Sequence, residues 1–264
     1  MGGMLRGVWQ YRGFVLSSIR NDMVSRFAQS KLGGLWVILN PLSQVLIYAL
    51  ILSNILAAKL PGIDNKYAYS IYLMSGLLAW TLFSESVSRC LTLFIDNGNL
   101  MKKMNFPRIT LPSIVIGSCL LNNLLLFVAM LAIFLALGHE FTAAMFWLIP
   151  LTLCVVTLGF GIGLILGVLN VFMRDIGQVV PIILQVMFWF TPIVYPLDII
   201  PVGYRDMMSN NPLYHLIDGY HQVVVYGHPP ALEGIVIVLA ISLILVALGL
   251  FMFKRAGAEM MDVL

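Results

Sequence analysis

Charge is what this sequence has least of. Acidic and basic side chains make up only 10% of the 264 residues while 60% are hydrophobic, whereas a soluble domain is usually about a quarter charged. That shortage excludes a water-soluble globule. The net charge of +3 is too small to point to a nucleic-acid partner, and none is expected. Cysteine is scarce as well. The three thiols, Cys90, Cys119 and Cys154, lie in or beside apolar runs, and an odd number cannot complete a disulfide framework. They read as small buried hydrophobes. No G-x-x-x-x-G-K-[ST] loop is present, so the chain has no recognisable ATP site of its own. His139, His215, His221 and His228 lack the i, i+4 spacing of a helical metal pair, and no metal is expected. The first long apolar run begins only near Trp36, so no cleavable leader is expected either.

What the chain has in abundance is apolar runs of spanning length. They occupy 36–57, 69–88, 113–137, 144–169, 179–195 and 232–253, each near the ~17 to 25 residues a helix needs to cross the hydrocarbon layer. The expected fold is an all-α integral membrane protein with six transmembrane helices, both termini on one side. Of the 15 Lys and Arg, all but Lys59, Lys66 and Arg205 fall on that side. Positive-inside bias makes it cytoplasmic.

Residues 1–35 are expected to hold an amphipathic helix in the membrane interface, because Met4, Val8, Tyr11, Val15 and Ile19 recur at helical spacing. Asp22 and Arg26 then break the stripe. The helix either anchors the amino terminus or offers its polar end to a cytoplasmic partner. In span four, Gly159, Gly163 and Gly167 line one helical face, which permits close helix approach. Between spans five and six, Pro192, Pro196, Pro201, Pro212, Pro229 and Pro230 interrupt a stretch that stays apolar and aromatic. Short re-entrant helices on the periplasmic side are expected there.

Glu85 stands inside an apolar run four residues before Arg89, the favourable order for a helical ion pair. An intramembrane charge is a functional candidate, although a pair at the membrane edge that steadies the helix end is the simpler reading. Trp36, Asn40, Ser43, Gln44 and Tyr48 in span one, and Gln185, Phe188, Trp189, Phe190 and Tyr195 in span five, mix aromatic rings with amides and hydroxyls. Sugars present C–H faces that pack on rings and hydroxyls that want polar partners, so these residues suit a glycan conduit. The same rings also suit an ordinary interfacial belt.

Several short motifs add a resemblance. Arg26, Phe27, Gln29, Ser30, Leu32, Gly33, Trp36, Asn40 and Pro41 lead into span one; Asn97, Asn99, Leu100, Lys102, Lys103, Phe106, Pro107, Leu111 and Pro112 follow span two. Arg174-Asp175-Ile176, Pro192-Ile193, Tyr195-Pro196 and Asn211-Pro212 come later. Together and in this order the sequence resembles the membrane subunits of ABC-2-type polysaccharide exporters, the O-antigen permeases and their teichoic-acid and capsule relatives. Met173 departs from the pattern, standing where an aromatic residue is expected before Arg174-Asp175.

The resemblance implies a single ABC-2-type transmembrane domain over 1–264, in a bacterial inner membrane. It implies a homodimer working with two copies of a separate cytoplasmic ATPase, which carries the ATP and magnesium, and a cargo of undecaprenyl-diphosphate-linked polysaccharide, O antigen in the first instance. It also makes Asn97 to Pro107 a coupling helix against the ATPase, with the Arg174-Asp175 loop as a second contact. Lys102, Lys103 and Arg108 either attract the lipid diphosphate or simply orient the protein. Two rival readings are an exporter of a small drug or lipid and an integral membrane enzyme acting on a lipid-linked sugar. The enzyme needs converging acid, base and nucleophile or metal, which the sequence does not assemble.

Overall fold

The computed structural model describes residues 11–27, 31–36, 39, 42–43, 68–103, 109–136, 138–139, 141–257 and 259–263. Among them every regular element is helical. In chain order these are α1 (Arg12–Phe27), α2 (Ala68–Asp96), α3 (Gly98–Lys103), α4 (Thr110–Ala136), α5 (Leu148–Phe172), α6 (Ile176–Phe190), α7 (Val202–Ser209), α8 (Pro212–Val224), α9 (Leu232–Ala256) and α10 (Glu259–Val263). Single 3-10 turns lie at Gly33–Leu35, Ala143–Trp147 and Leu197–Ile199. Most of the expected first span, including Asn40 and Tyr48, falls outside the described residues, as do Gln29, Phe106 and Pro107.

Among the described residues, three segments are long and apolar enough to cross a membrane: Thr110–Leu135, Ala143–Phe172 and Leu232–Ala256. They differ in what covers them. The most apolar 18-residue window is 67% buried in the second of these, but only 22% in the third. Thus α5 is an interior helix, while α9 presents Val236, Ile237, Leu243, Ile244 and Phe251 outward, as suits a surface solvated by acyl chains.

The glycines of α5 explain its central place. A Cβ at Gly159 would stand 2.9 Å from Ser86 Cβ, one at Gly163 2.7 Å from Cys90 Cβ, and one at Gly167 would run into the Cys90 carbonyl. All three contacts are with α2. On the other side of α5, Gly161 lies against Leu245 and Val246 of α9. Without a hydrophobic driving force between helices in lipid, such close backbone approach is what gives van der Waals packing its strength.

At 29 residues α2 is the longest helix described, and it extends past the expected span of 69–88 to Asp96. It is also less apolar than α4, α5 or α9. Protein covers it along most of its length, burying Ser75 and Ser86 as well as Leu73, Leu77 and Phe83, so it needs no lipid-facing exterior.

The fifth helix ends at Phe190 instead of the expected 195. Thr191 still donates to the Met187 carbonyl at 2.9 Å, but its own backbone is extended. Pro192 has no N–H and disfavours helical backbone in the residue before it. After the break, Asn211 restarts the chain as helix: its side chain accepts from Leu213 N at 3.0 Å, with Pro212 at the first helical position. The Asn211 amide also donates to Thr191 Oγ1 at 3.0 Å, which pins the start of α8 to the end of α6.

Candidate functional site

Three groups of polar and aromatic residues lie along α2. Near its α3 end, Arg89 Nη2 donates to Asp22 Oδ2 of α1 at 2.7 Å. Arg89 Nη1 lies 3.7 Å from Glu85 Oε1, one turn back on the same helix. That same Glu85 oxygen accepts from Asn122 Nδ2 of α4 at 2.7 Å. Asp22, Glu85 and Arg89 are all largely shielded from solvent, so charge-assisted contacts here are stronger than on an open surface. Ile19, one turn before Asp22, fills the space beside Gly117 of α4. The sequence pairs Glu85 with Arg89; the structure adds Asp22 and Asn122.

The second group lies at the same end. Asn97 closes α2 by donating its side-chain amide to the Leu93 carbonyl at 2.8 Å, and its own carbonyl accepts from Met101 N at 2.9 Å. The chain thereby turns from α2 directly into α3. Met101 is buried on one face of α3, with Lys102 exposed, and α10 packs beside it with Met260 fully buried. Asn99, Leu100 and Lys103 belong to α3, and Arg26 to the last turn of α1.

Arg174 and Asp175 are exposed in the turn between α5 and α6. What holds that turn is Asn170, which sequence reasoning passed over. Its amide donates to the Leu91 carbonyl of α2 at 2.9 Å, and its Oδ1 accepts from Gly177 N at 2.9 Å. Met173 leaves helical geometry just before the turn. An asparagine at the end of an otherwise apolar run was the available signal, because a polar side chain placed there must be satisfied by protein, and in the structure Asn170 is buried.

The third group is at the opposite end of α2. Tyr69 donates to the Val194 carbonyl at 2.7 Å, and Tyr72 donates to the Tyr195 carbonyl at 3.1 Å. Tyr195 in turn bonds through its hydroxyl to the Trp189 carbonyl. Along α6, Gln185 and Trp189 are exposed on one face, a turn apart. Phe188 points differently, packing edge-on against Trp80 at 5.5 Å between ring centroids. Trp36 is exposed. Of the five candidates in the fifth span, Gln185, Trp189 and Phe190 are exposed, Phe188 packs inward, and Tyr195 is half-buried beyond the end of the helix.

Architecture alone leaves the chemistry open, and similarity to known proteins narrows it. The model of the family described as ABC-2 type transporter matches residues 14–225. The chain belongs to that family. The O-antigen export system permease protein RfbA of Myxococcus xanthus is 29% identical to this ABC-2 protein over 263 residues, covering 97% of each chain. The protein of the same name from Klebsiella pneumoniae is 30% identical over 247 residues, covering 92% of each. The polysialic acid transport protein KpsM of Escherichia coli is 25% identical over 244 residues, covering 91% of this chain and 92% of its own.

An apolar groove of about 710 Å³ opens between α4 and α5 of this ABC-2 protein, bordered by Phe127, Leu131, Phe146 and Ile149. Among the described residues no acid, base or thiol lines it.

Proposed function

We propose that this chain is the permease subunit of an ATP-driven exporter that moves undecaprenyl-diphosphate-linked polysaccharide, O antigen, from the cytoplasmic to the periplasmic side of a bacterial inner membrane. The observation that carries the reading is the end-to-end similarity to O-antigen export permeases, 97% of both chains in one case. Identity to those relatives is 29 to 30%, against 25% for the polysialic acid transporter. That difference favours O antigen over capsule.

Six spans, a first over 36–57 among them, put both termini in the cytoplasm by the positive-inside bias. In this arrangement α7 and α8 are the short re-entrant helices of the periplasmic side. Two copies of the chain form the conduit, with Trp36, Asn40, Tyr48, Gln185, Trp189 and Tyr195 offering rings and amides to the passing glycan. Two cytoplasmic ATPase subunits carry ATP and magnesium. Their closure pushes on α3, from Asn97 through Lys103 towards Pro107, and on the Arg174-Asp175 turn. Direction comes from the differential affinity of nucleotide for the closed state.

The test is complementation in a host whose own O-antigen permease has been deleted, with the partner ATPase supplied. Surface polysaccharide should return with this chain and lipid-linked glycan should stop accumulating inside. The purified chain by itself should hydrolyse no ATP. Unrestored surface glycan, with the chain inserted and the ATPase bound, would refute the reading.

A further inference from the structure

The cluster around Arg89 holds more polar atoms than it satisfies. Arg89 Nη1, Asn122 Oδ1, Ser86 Oγ and Ser118 Oγ are all buried without a hydrogen-bond partner, while Ser86, Ser118 and Asn122 are at most 8% exposed. Buried polar groups are normally satisfied, and each exception asks for an explanation. One of the orphans belongs to the Arg89 guanidinium itself, which makes one close contact to Asp22 and one loose contact to Glu85; the others lie on α2 and α4, and the Cys119 thiol of α4 lies against both Arg89 and Ser86. Closing the 3.7 Å gap between Nη1 and Glu85 to the roughly 2.8 Å of a charge-assisted bond takes a shift of less than about one ångström. The guanidinium then has Glu85 as a second close partner, on a carboxylate to which Asn122 is already bonded.

We propose that Arg89 is a positioning residue that docks the interface helix α1 on α2 and α4, as a joint with two settings: one in which its close partner is Asp22, and one in which Glu85 and the Asn122 amide oxygen take the guanidinium and α1 is released. Its place in the chain gives the joint its use. Arg89 lies two turns before Asp96, where α2 passes into α3, so a push on α3 reaches Arg89 along unbroken helix. Packed elements with alternative partner sets switch between discrete positions instead of deforming gradually. A half-satisfied polar cluster is such a partner set. The inference rests on the exporter reading for its transport consequence, but not for the docking itself.

The experiment uses the full chain with its partner ATPase in lipid nanodiscs, spin-labelled at cysteines introduced at Ser25 of α1 and Thr92 of α2, both exposed. The native Cys90, Cys119 and Cys154 are buried and should not take label. Wild type should give one narrow distance without nucleotide and a second, longer population with a non-hydrolysable ATP analogue. D22A and R89A should show the longer population without nucleotide, and should export roughly tenfold less glycan per ATP hydrolysed, within the usual range of coupling between sites. The charge-swapped D22R/R89D should restore the short distance without nucleotide, because the guanidinium carried by α1 then faces two carboxylates on α2, the introduced one and that of Glu85, but it should not restore export, because no setting then releases α1. Wild-type distances in D22A and R89A overturn the proposal. If the single variants fail to insert, the swap decides: recovery of insertion and distance supports the joint, and failure to recover either overturns it. A wild-type exporter that moves no glycan but shows the stated distances sinks the exporter reading and leaves the joint standing.

Discussion

Tyr72 and His221 stack face to face, with ring centroids 3.6 Å apart and planes inclined by 17°. This pair joins α2 to α8 across a boundary where the neighbouring glycine, Gly76, leaves no room for a side chain: a Cβ there would stand 2.8 Å from His221 Nε2. With the Tyr72 hydroxyl also bonded to the Tyr195 carbonyl, one residue of α2 holds two parts of the proline-broken segment. Tyr72→Phe keeps the stack and removes that bond, and is expected to lower stability by about 1 kcal/mol. Tyr72→Ala removes both and should lower it further. Thermal unfolding in detergent ranks the three proteins; equal midpoints for the two variants would show that the stack contributes nothing.

Gly167 sits where α5 meets the Cys90 carbonyl, a backbone atom that cannot swing aside. Gly167→Ala should destabilise by about 1 to 3 kcal/mol through overpacking. Gly203 in α7 has nothing within 4 Å of a built Cβ, so Gly203→Ala should be neutral or stabilising by up to about 1 kcal/mol through helix propensity. The two substitutions moving the midpoint in the same direction by similar amounts would contradict this packing.

Asn170→Ala removes two bonds, to Leu91 O and from Gly177 N, and leaves both backbone groups without their partner. Hydrogen–deuterium exchange in 174–178 should accelerate, while exchange in the middle of α5 stays slow. Unchanged exchange at Gly177 would show that the turn is held by something else.

Within the fifth span, Trp189 and Phe188 should behave differently although they are adjacent. Phe188→Ala loses the contact with Trp80 and should reduce stability and assembly. Trp189→Ala, on an exposed ring, should reduce surface glycan with insertion and ATP hydrolysis maintained. Normal export by assembled Trp189→Ala and Gln185→Ala would remove this face from the conduit.

Orientation has its own check. A cysteine introduced at Asn99 should react with membrane-impermeant reagent only from the cytoplasm, and one at Gly203 only from the periplasm. Reaction of position 99 from outside would overturn the topology and the coupling role of α3 with it.

Residue order by itself determined the membrane character of this protein, since long apolar runs nearly free of charge admit only helices when no water is present to satisfy the backbone. It also marked where α6 would stop, although five residues late, because the local chemistry of Pro192 decides that. The glycine spacing of α5 was legible for the same reason: periodicity along one helix places residues on one face without knowledge of any neighbour. Tertiary structure decided what lies against each face. Nothing along the chain connects Arg89 with Asp22, 67 positions apart, or Asn170 with Leu91, 79 apart; nor does it connect Tyr72 with the Tyr195 carbonyl, 123 apart. Each of these polar side chains is forced to find a partner by its removal from water, and only the packing of α2 among α1, α4, α5 and α8 sets which partner is within reach.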